Sequence, residues 1–179
     1  MQKIAQIKSC TASVIFDKLK YCKIPTRKSF DPVYYKYPRI KFTGNPVEKA
    51  YLIGFRLGDL YARRLPYGVY IKTNTTRFEQ VSLLKELFEK YGHLSIRSYA
   101  DQFQIEVRLH KTFSFLVEKD DDIPSWIVHN HKYFLAFIGG YTDAEGNIGI
   151  YSNRARFRLG SYDKNILYLI LLFSSLLFL

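Results

Sequence analysis

Two acids in this chain stand in the same local frame. Asp59 closes the stretch Leu52-Ile53-Gly54-Phe55-Arg56-Leu57-Gly58-Asp59, and Glu145 closes Ile138-Gly139-Gly140-Tyr141-Thr142-Asp143-Ala144-Glu145. Each stretch sets two small residues four apart, Gly54 with Gly58 and Gly140 with Ala144, so on a helix they share one face and the acid follows at once. Small faces let helices cross closely. If the two helices pack through them, Asp59 and Glu145 emerge side by side as a pair that repels itself unless a cation intervenes. Carboxylates are hard oxygen ligands, and two of them holding Mg²⁺ between an attacking water and a leaving oxygen is what metal-assisted phosphodiester hydrolysis requires. Taken once, a glycine-lined helix ending in an acid is ordinary packing. Its recurrence in corresponding places is the signal.

The surrounding elements must hold those helices. Asn45-Pro46 reads as an N-cap with proline at the first helical position, and the apolar run Ala50–Ala62 continues it as a helix. Val69–Asn74 alternates with period two and is expected to be a strand. Thr76 and Glu79 form a capping box, after which Phe78, Val81, Leu84, Leu87, Phe88 and Tyr91 recur at helical spacing until Gly92. Leu94–Arg97 and Gln102–Arg108 then alternate around Ala100-Asp101 as a hairpin, and Thr112–Glu118 is expected to be helical. After Asp120-Asp121-Asp122, read as a solvated connection, the order starts again. Asn130 caps a helix over Tyr133–Ala144, Asn147–Tyr151 and Arg154–Leu159 form a hairpin, and Asp163 caps a last helix. The expected fold class is α+β: pseudo-symmetric tandem αββαββα repeats with two packed central helices and an antiparallel sheet surface, the second repeat lacking the hairpin and helix that complete the first.

Charge points to the partner. Lys+Arg number 27 against 16 Asp+Glu, a formal net charge of +11, and a basic excess of that size favours polyanions because each neutralised phosphate releases counterions. The non-core strand faces carry Tyr70, Lys72 and Asn74, then Ser95 and Arg97, then Gln102, Gln104, Glu106 and Arg108, then Arg154, Arg156 and Arg158. Arginine pairs bidentately with guanine and Gln or Asn with adenine, so this ribbon could read double-stranded DNA in the major groove. A plain solvated face is the competing reading, weakened by three alternating arginines that repel without an anion. Lys72 and Lys164 are candidate electrostatic helpers beside scissile phosphates, with ordinary surface lysines as the alternative.

The rest of the chain narrows the classes. Residues 1–28 read as a partial helix-turn-helix-like segment with a basic side at Lys18, Lys20, Lys23 and Arg27, equally readable as a plain helix pair. Residues 29–46, with Pro32, Pro38, Tyr34, Tyr35 and Tyr37, read as a linker. Cys10 and Cys22 form no C-x-x-C pair and no zinc site. No secretory signal is legible, so the cytoplasm is the default, or an organelle for an organelle-encoded protein. Ile166–Leu179 is apolar but shorter than the ~20 residues of a membrane-spanning helix, so no membrane partner is expected. His129-Asn130-His131, His93 and His110 show no pattern of a site.

The two acid-ending stretches resemble the paired motifs of monomeric LAGLIDADG homing endonucleases. Asp59 and Glu145 fall on the eighth motif position, Asp143 on the sixth, and the second copy, with Asp-Ala-Glu-Gly at 143–146, is the more specific. The first departs with Leu57 at the sixth position and Leu60 where glycine is common, a difference expected to change how that helix ends. The resemblance runs from Val47 to about Lys164, with a first repeat over 47–122 and a second over 123–179. It implies a monomeric site-specific DNA endonuclease that uses Mg²⁺ or Mn²⁺ at Asp59 and Glu145, with Gly58 and Ala144 beside them in the metal site, and that cuts across the minor groove while each sheet lies in the major groove. The short second repeat supports two alternatives. One is a non-cutting DNA- or intron-RNA-binding relative, whether degenerate endonuclease, maturase or transcription regulator. The other is self-association that completes the repeat in trans.

Overall fold

A computed structural model of the chain describes residues 2–25 and 37–177. The chain divides into two compact units, 1–36 and 37–179. In the first unit, α1 (Gln2–Ile7) and α2 (Ala12–Tyr21) are separated by a turn at Ser9, whose φ is 47°. Thr11 occupies the N-cap position of α2, but its side chain makes no capping bond, and no residue of α2 is buried. Arg27, Pro32, Tyr34 and Tyr35 lie outside the described residues.

The second unit opens with residues 37–45 running extended against its core. Ile40 N donates to Tyr91 O at 2.8 Å, Phe42 N donates to Thr112 Oγ1 at 2.9 Å, and the Phe42 ring lies against Tyr91, Phe113 and Phe115. This stretch of the segment read as a linker is therefore docked rather than spanning. Asn45 then caps α3 (Pro46–Leu57), its side chain accepting from the backbone of Val47 and Glu48. The helix ends earlier than its apolar run: Ala62 belongs to β1 (Tyr61–Leu65), paired with β2 (Gly68–Thr75) through a tight turn at Pro66-Tyr67. β1 escapes a sequence reading because only Ala62 faces inward, flanked by exposed Tyr61 and Arg63.

α4 (Phe78–Phe88) buries Val81, Leu84 and Phe88 but leaves Phe78 exposed. Its capping box does not form. Arg77 takes the N-cap position without a side-chain bond, and Thr75 Oγ1 instead accepts from Arg77 N at 3.0 Å. β3 (Leu94–Tyr99) and β4 (Gln102–Leu109) pair around Ala100, which sits at φ 49°, and the sheet runs in the order β1-β2-β4-β3, all antiparallel. The helix expected at 112–118 is a 3₁₀ segment, Lys111–Leu116, capped by the His110 side chain.

The second half follows the same order. A short α5 (Ser125–Val128) precedes α6 (His131–Glu145), capped by the Asn130 side chain. The His129-Asn130-His131 tripeptide is thus a helix start. β5 (Gly146–Tyr151) and β6 (Arg154–Leu159) form a two-stranded sheet with a left-handed turn at Ser152 and Asn153. α7 (Lys164–Leu177) packs Ile166 and Ile170 into the core beside Phe137 and Tyr141. Its N-terminus is capped from a distance: the Asp121 carboxylate accepts from Asn165 N and Ile166 N, both at 3.3 Å. The acidic connection is therefore structural, and Asp163, expected to cap α7, instead accepts from Tyr141 and Ser161. No helix among the described residues is long and apolar enough to cross a membrane.

α3 and α6 pack more extensively than any other pair of elements. An added methyl at Gly54 would overlap the Phe137 carbonyl oxygen, and one at Gly140 would overlap the Tyr51 carbonyl oxygen. The contact is reciprocal, since Gly54 and Gly140 occupy matching motif positions, as do Tyr51 and Phe137. The backbones touch here, so no side chain can yield. Gly139 is different, because a methyl there meets only the Tyr51 ring at 3.8 Å. Urea unfolding should separate the two cases: Gly54→Ala or Gly140→Ala costs about 3 kcal/mol by overpacking, whereas Gly139→Ala is neutral or stabilising by up to about 1 kcal/mol through helix propensity.

Candidate active site

The crossing of α3 and α6 fixes where their ends meet. α3 stops at Leu57, Gly58 follows at ψ −117°, and Asp59 lies beyond the helix with its backbone carbonyl accepting from Thr73 Oγ1 of β2 at 3.2 Å. Glu145 is still the last residue of α6, which passes directly into β5 at Gly146. The two acids are thus presented differently, one from a turn tied to a strand and one from a helix end. They nonetheless meet. A methyl added to Gly58 would overlap Ala144 Cβ and lie 3.2 Å from Glu145 Oε1, so the Glu145 carboxylate sits against the residue preceding Asp59.

Asp59 and Glu145 line one cleft of about 590 Å³ together with Ala144, Asn74, Gln102 and Asn147. Glu145 is pushed above the usual carboxylate range, first by burial and then by the negative charge of Asp59, with Lys119 opposing and Asp163 reinforcing the shift. Behind it, burial raises the Tyr141 hydroxyl to about 12, and that hydroxyl donates to Asp163 at 3.3 Å. Asp143 also lines the cleft and accepts from Tyr51 OH at 2.5 Å, and burial together with this bond pushes the Tyr51 hydroxyl upward.

A divalent cation fits this donor set. Two carboxylates that repel each other in a polar cleft present hard oxygens, and the backbone carbonyls of Gly58 and Ala144 lie next to them in sequence. Among the described residues no group of three or more His, Cys, Asp or Glu side chains could hold a metal ion. Ligands beyond the acid pair would come from main-chain oxygens or from substrate.

The sheet places the remaining sequence-predicted residues on two surfaces. Tyr70, Lys72 and Asn74 alternate outward on β2 with Val69, Ile71 and Thr73 buried, and Gln102, Gln104 and Arg108 do the same on β4. The register sets Tyr70 against Arg108, Lys72 against Glu106, and Asn74 against Gln104, which also faces Arg97. These residues form one continuous face. Glu106 lies at its centre, accepting from Gln104 Nε2 and hydrogen-bonding Tyr70. On β6, Arg154, Arg156 and Arg158 are all exposed, opposite Tyr151, Gly149 and Asn147, and the Arg158 guanidinium lies 4.4 Å over the Tyr151 ring.

Three residues of these surfaces have no sequence signal. Tyr61 and Arg63 join the first face from β1, with Arg63 stacked 5.1 Å over Tyr70. Lys119 shares a depression with Glu145 and Asp163, as Lys72 shares one with Asp59 and Asn74. A lysine next to three aspartates reads as a solvated charge run, so only the fold reveals that Lys119 faces Glu145. Lys164 does not line either depression. His93 stacks on Tyr37, and His110 caps the 3₁₀ segment.

No protein-family model and no curated protein matches the chain. Solved structures do resemble it. The homing endonuclease I-DmoI in complex with DNA and Mn is 19% identical at a TM-score of 0.48, over 70% of this chain and 74% of that one. I-DmoI in complex with DNA and Ca is 17% identical at 0.45, over 70% and 69%. The homing endonuclease I-WcaI bound to its DNA recognition sequence is 14% identical at 0.34, over 69% and 80%. Similarity of this degree leaves function to be read from the site itself.

The mutual repulsion has a measurable sign. A carboxyl raised in the folded state binds more protons than in the unfolded chain, so its contribution to stability is present at low pH and is lost as pH rises through the folded pKa. Asp59→Asn removes one cause and leaves burial. Carboxyl-carbon NMR titration should show the Glu145 midpoint falling toward the ordinary range in that variant, and pH-dependent unfolding should show a shallower loss of stability over the same window. A Glu145 midpoint unmoved by Asp59→Asn would contradict the pairing.

Proposed function

We propose that the chain is a site-specific endonuclease of double-stranded DNA, hydrolysing phosphodiesters with Mg²⁺ or Mn²⁺ at Asp59 and Glu145. The observation that carries this reading is the meeting of those two acids at the ends of the crossed helices, beside a face lined with base-reading side chains. When bound, a divalent cation would neutralise charge at the scissile phosphate and activate water. Asp59 and Glu145 would hold it through carboxylate oxygens, and Gly58 and Ala144 through main-chain carbonyls. Lys72 beside Asp59 and Lys119 beside Glu145 bring positive charge to the two flanks of the cleft, where a phosphate gathers negative charge during hydrolysis.

The reading surface would supply register and sequence. Arg97, Arg108 and the three β6 arginines are suited to phosphates and guanine, and Asn74, Gln102 and Gln104 to adenine edges. Mobility of the host gene, by intron or intein homing, is the role this activity would serve.

One observation favours a second reading. Among the described residues the sheet of the second half has two strands against four in the first, and a pair of sheets so unequal could bind DNA, or intron RNA as a maturase, without cutting. Selection of cleaved molecules from a randomised duplex library with Mg²⁺, against a Ca²⁺ control, decides between them. Recovery of a common cut sequence supports the endonuclease, and retarded complexes without product support the binder. Asp59→Asn and Glu145→Gln should each lower cleavage about 10³-fold, equivalent to ~4 kcal/mol, while binding in a gel shift stays within a few-fold. Cleavage that survives either substitution would remove that residue from the catalytic role.

A further inference from the structure

The outward face of the first sheet ends in a second cluster of cations, and part of it comes from outside the sheet. Along β2 the outward positions run Asn74, Lys72, Tyr70 and then Gly68. At Gly68 the row has no side chain of its own: a methyl there would run into Arg39 Nη1 and the Leu109 carbonyl. Arg39 belongs to the docked segment before α3, and its Nη1 donates to Tyr67 O in the β1–β2 turn at 2.9 Å. Alternation along that extended segment turns Phe42 into the aromatic core and Lys41 away from it, on the same side as Arg39. Lys111, at the start of the 3₁₀ segment, stands next to His110, and both Lys41 and Lys111 are exposed. Burial and the charges of Lys41, Lys111 and Arg39 hold His110 below the ordinary imidazole range.

We infer that Lys41 and Lys111, with Arg39 as their structural brace, form a second phosphate-contacting site, which engages the DNA backbone beyond the cleft while the cleft is occupied. The inference rests on the duplex-DNA reading given above. Its position follows from strand geometry. From Asn74 at the cleft to Gly68, β2 advances about 20 Å at ~3.3 Å per residue, or roughly six phosphates along one strand at ~3.4 Å each. The residues belong to two separate segments that only the fold brings together, the docked segment and the start of the 3₁₀ segment, with the β1–β2 turn accepting the Arg39 hydrogen bond. Sequence inspection cannot assemble them.

The test is the salt dependence of duplex binding by the full chain. A labelled mixed-sequence duplex of about 30 base pairs, titrated without divalent metal between about 50 and 200 mM salt, gives a slope that counts the phosphates neutralised, at ~0.9 per phosphate. Lys41→Gln with Lys111→Gln should make that slope shallower by about 2, so the affinity lost across this salt range shrinks about tenfold. Lys41→Arg with Lys111→Arg should restore it. Lys85→Gln with Lys132→Gln removes the same charge from exposed helix positions and should leave the slope unchanged. All four lysines are exposed, and circular dichroism confirms that each variant is folded. Wild-type binding with an unaltered slope in the Lys41/Lys111 variant would overturn this site and spare the DNA reading. Failure of the wild-type chain to bind any duplex would overturn the reading itself.

Discussion

The contact between α3 and α6 sets the terms for everything else in the second unit. At Gly54 and Gly140 the main chain of one helix rests on a carbonyl oxygen of the other. Close-packed backbones leave no side chain whose rotamer could absorb an error, so the crossing fixes the helix ends, and the helix ends fix Asp59 and Glu145. The strain of that placement is electrostatic. Two acids are brought together in one cleft, and the one on the helix end, being less exposed, carries the cost as a raised pKa. Thr73 anchors the other through its backbone rather than its carboxylate, leaving the Asp59 side chain to face the cleft.

The two halves share an order of elements and differ in extent. In the first, a four-stranded sheet has its inner face covered by α4 and the 3₁₀ segment, and its outer face organised around Glu106. In the second, two strands carry three exposed arginines, with Ile150 and Phe157 also open to solvent. The two sheets therefore offer different surface chemistry. The first holds a mixed polar surface in which one acid restrains Tyr70 and Gln104, and the second a nearly unmixed cationic stripe.

What the sequence disclosed, it disclosed through local chemistry. Asn45 and Asn130 announce their helices because a cap needs only the next three residues. β2, β4 and β6 are legible because one face of each alternates with the other, and Gly54 and Gly140 stand out because they recur. The features that escaped depend on partners far along the chain. β1 has one inward residue, Ala62, and gains its identity from pairing with β2. Thr76 and Glu79 have the capping pattern, yet the helix starts one residue later, with Arg77 at the N-cap position and its amide held by Thr75. Asp121 looks like part of a solvated run until α7 arrives to use its carboxylate, and Lys119 gains meaning only beside Glu145. The crossing of α3 and α6 is legible as a small-residue pattern. The different presentation of the two acids, one from a turn and one from a helix end, is not.

Among the described residues both strands of the β5–β6 ribbon are edges, and each leaves a row of backbone donors and acceptors without a neighbour in its sheet. Such edges invite other chains to add on, and clustered charge is one way proteins keep them apart. Arg154, Arg156 and Arg158 set like charges along one of these edges, where a second copy would meet repulsion. Neutralising those arginines would remove that repulsion, so the charge of β6 and the openness of its edge are linked.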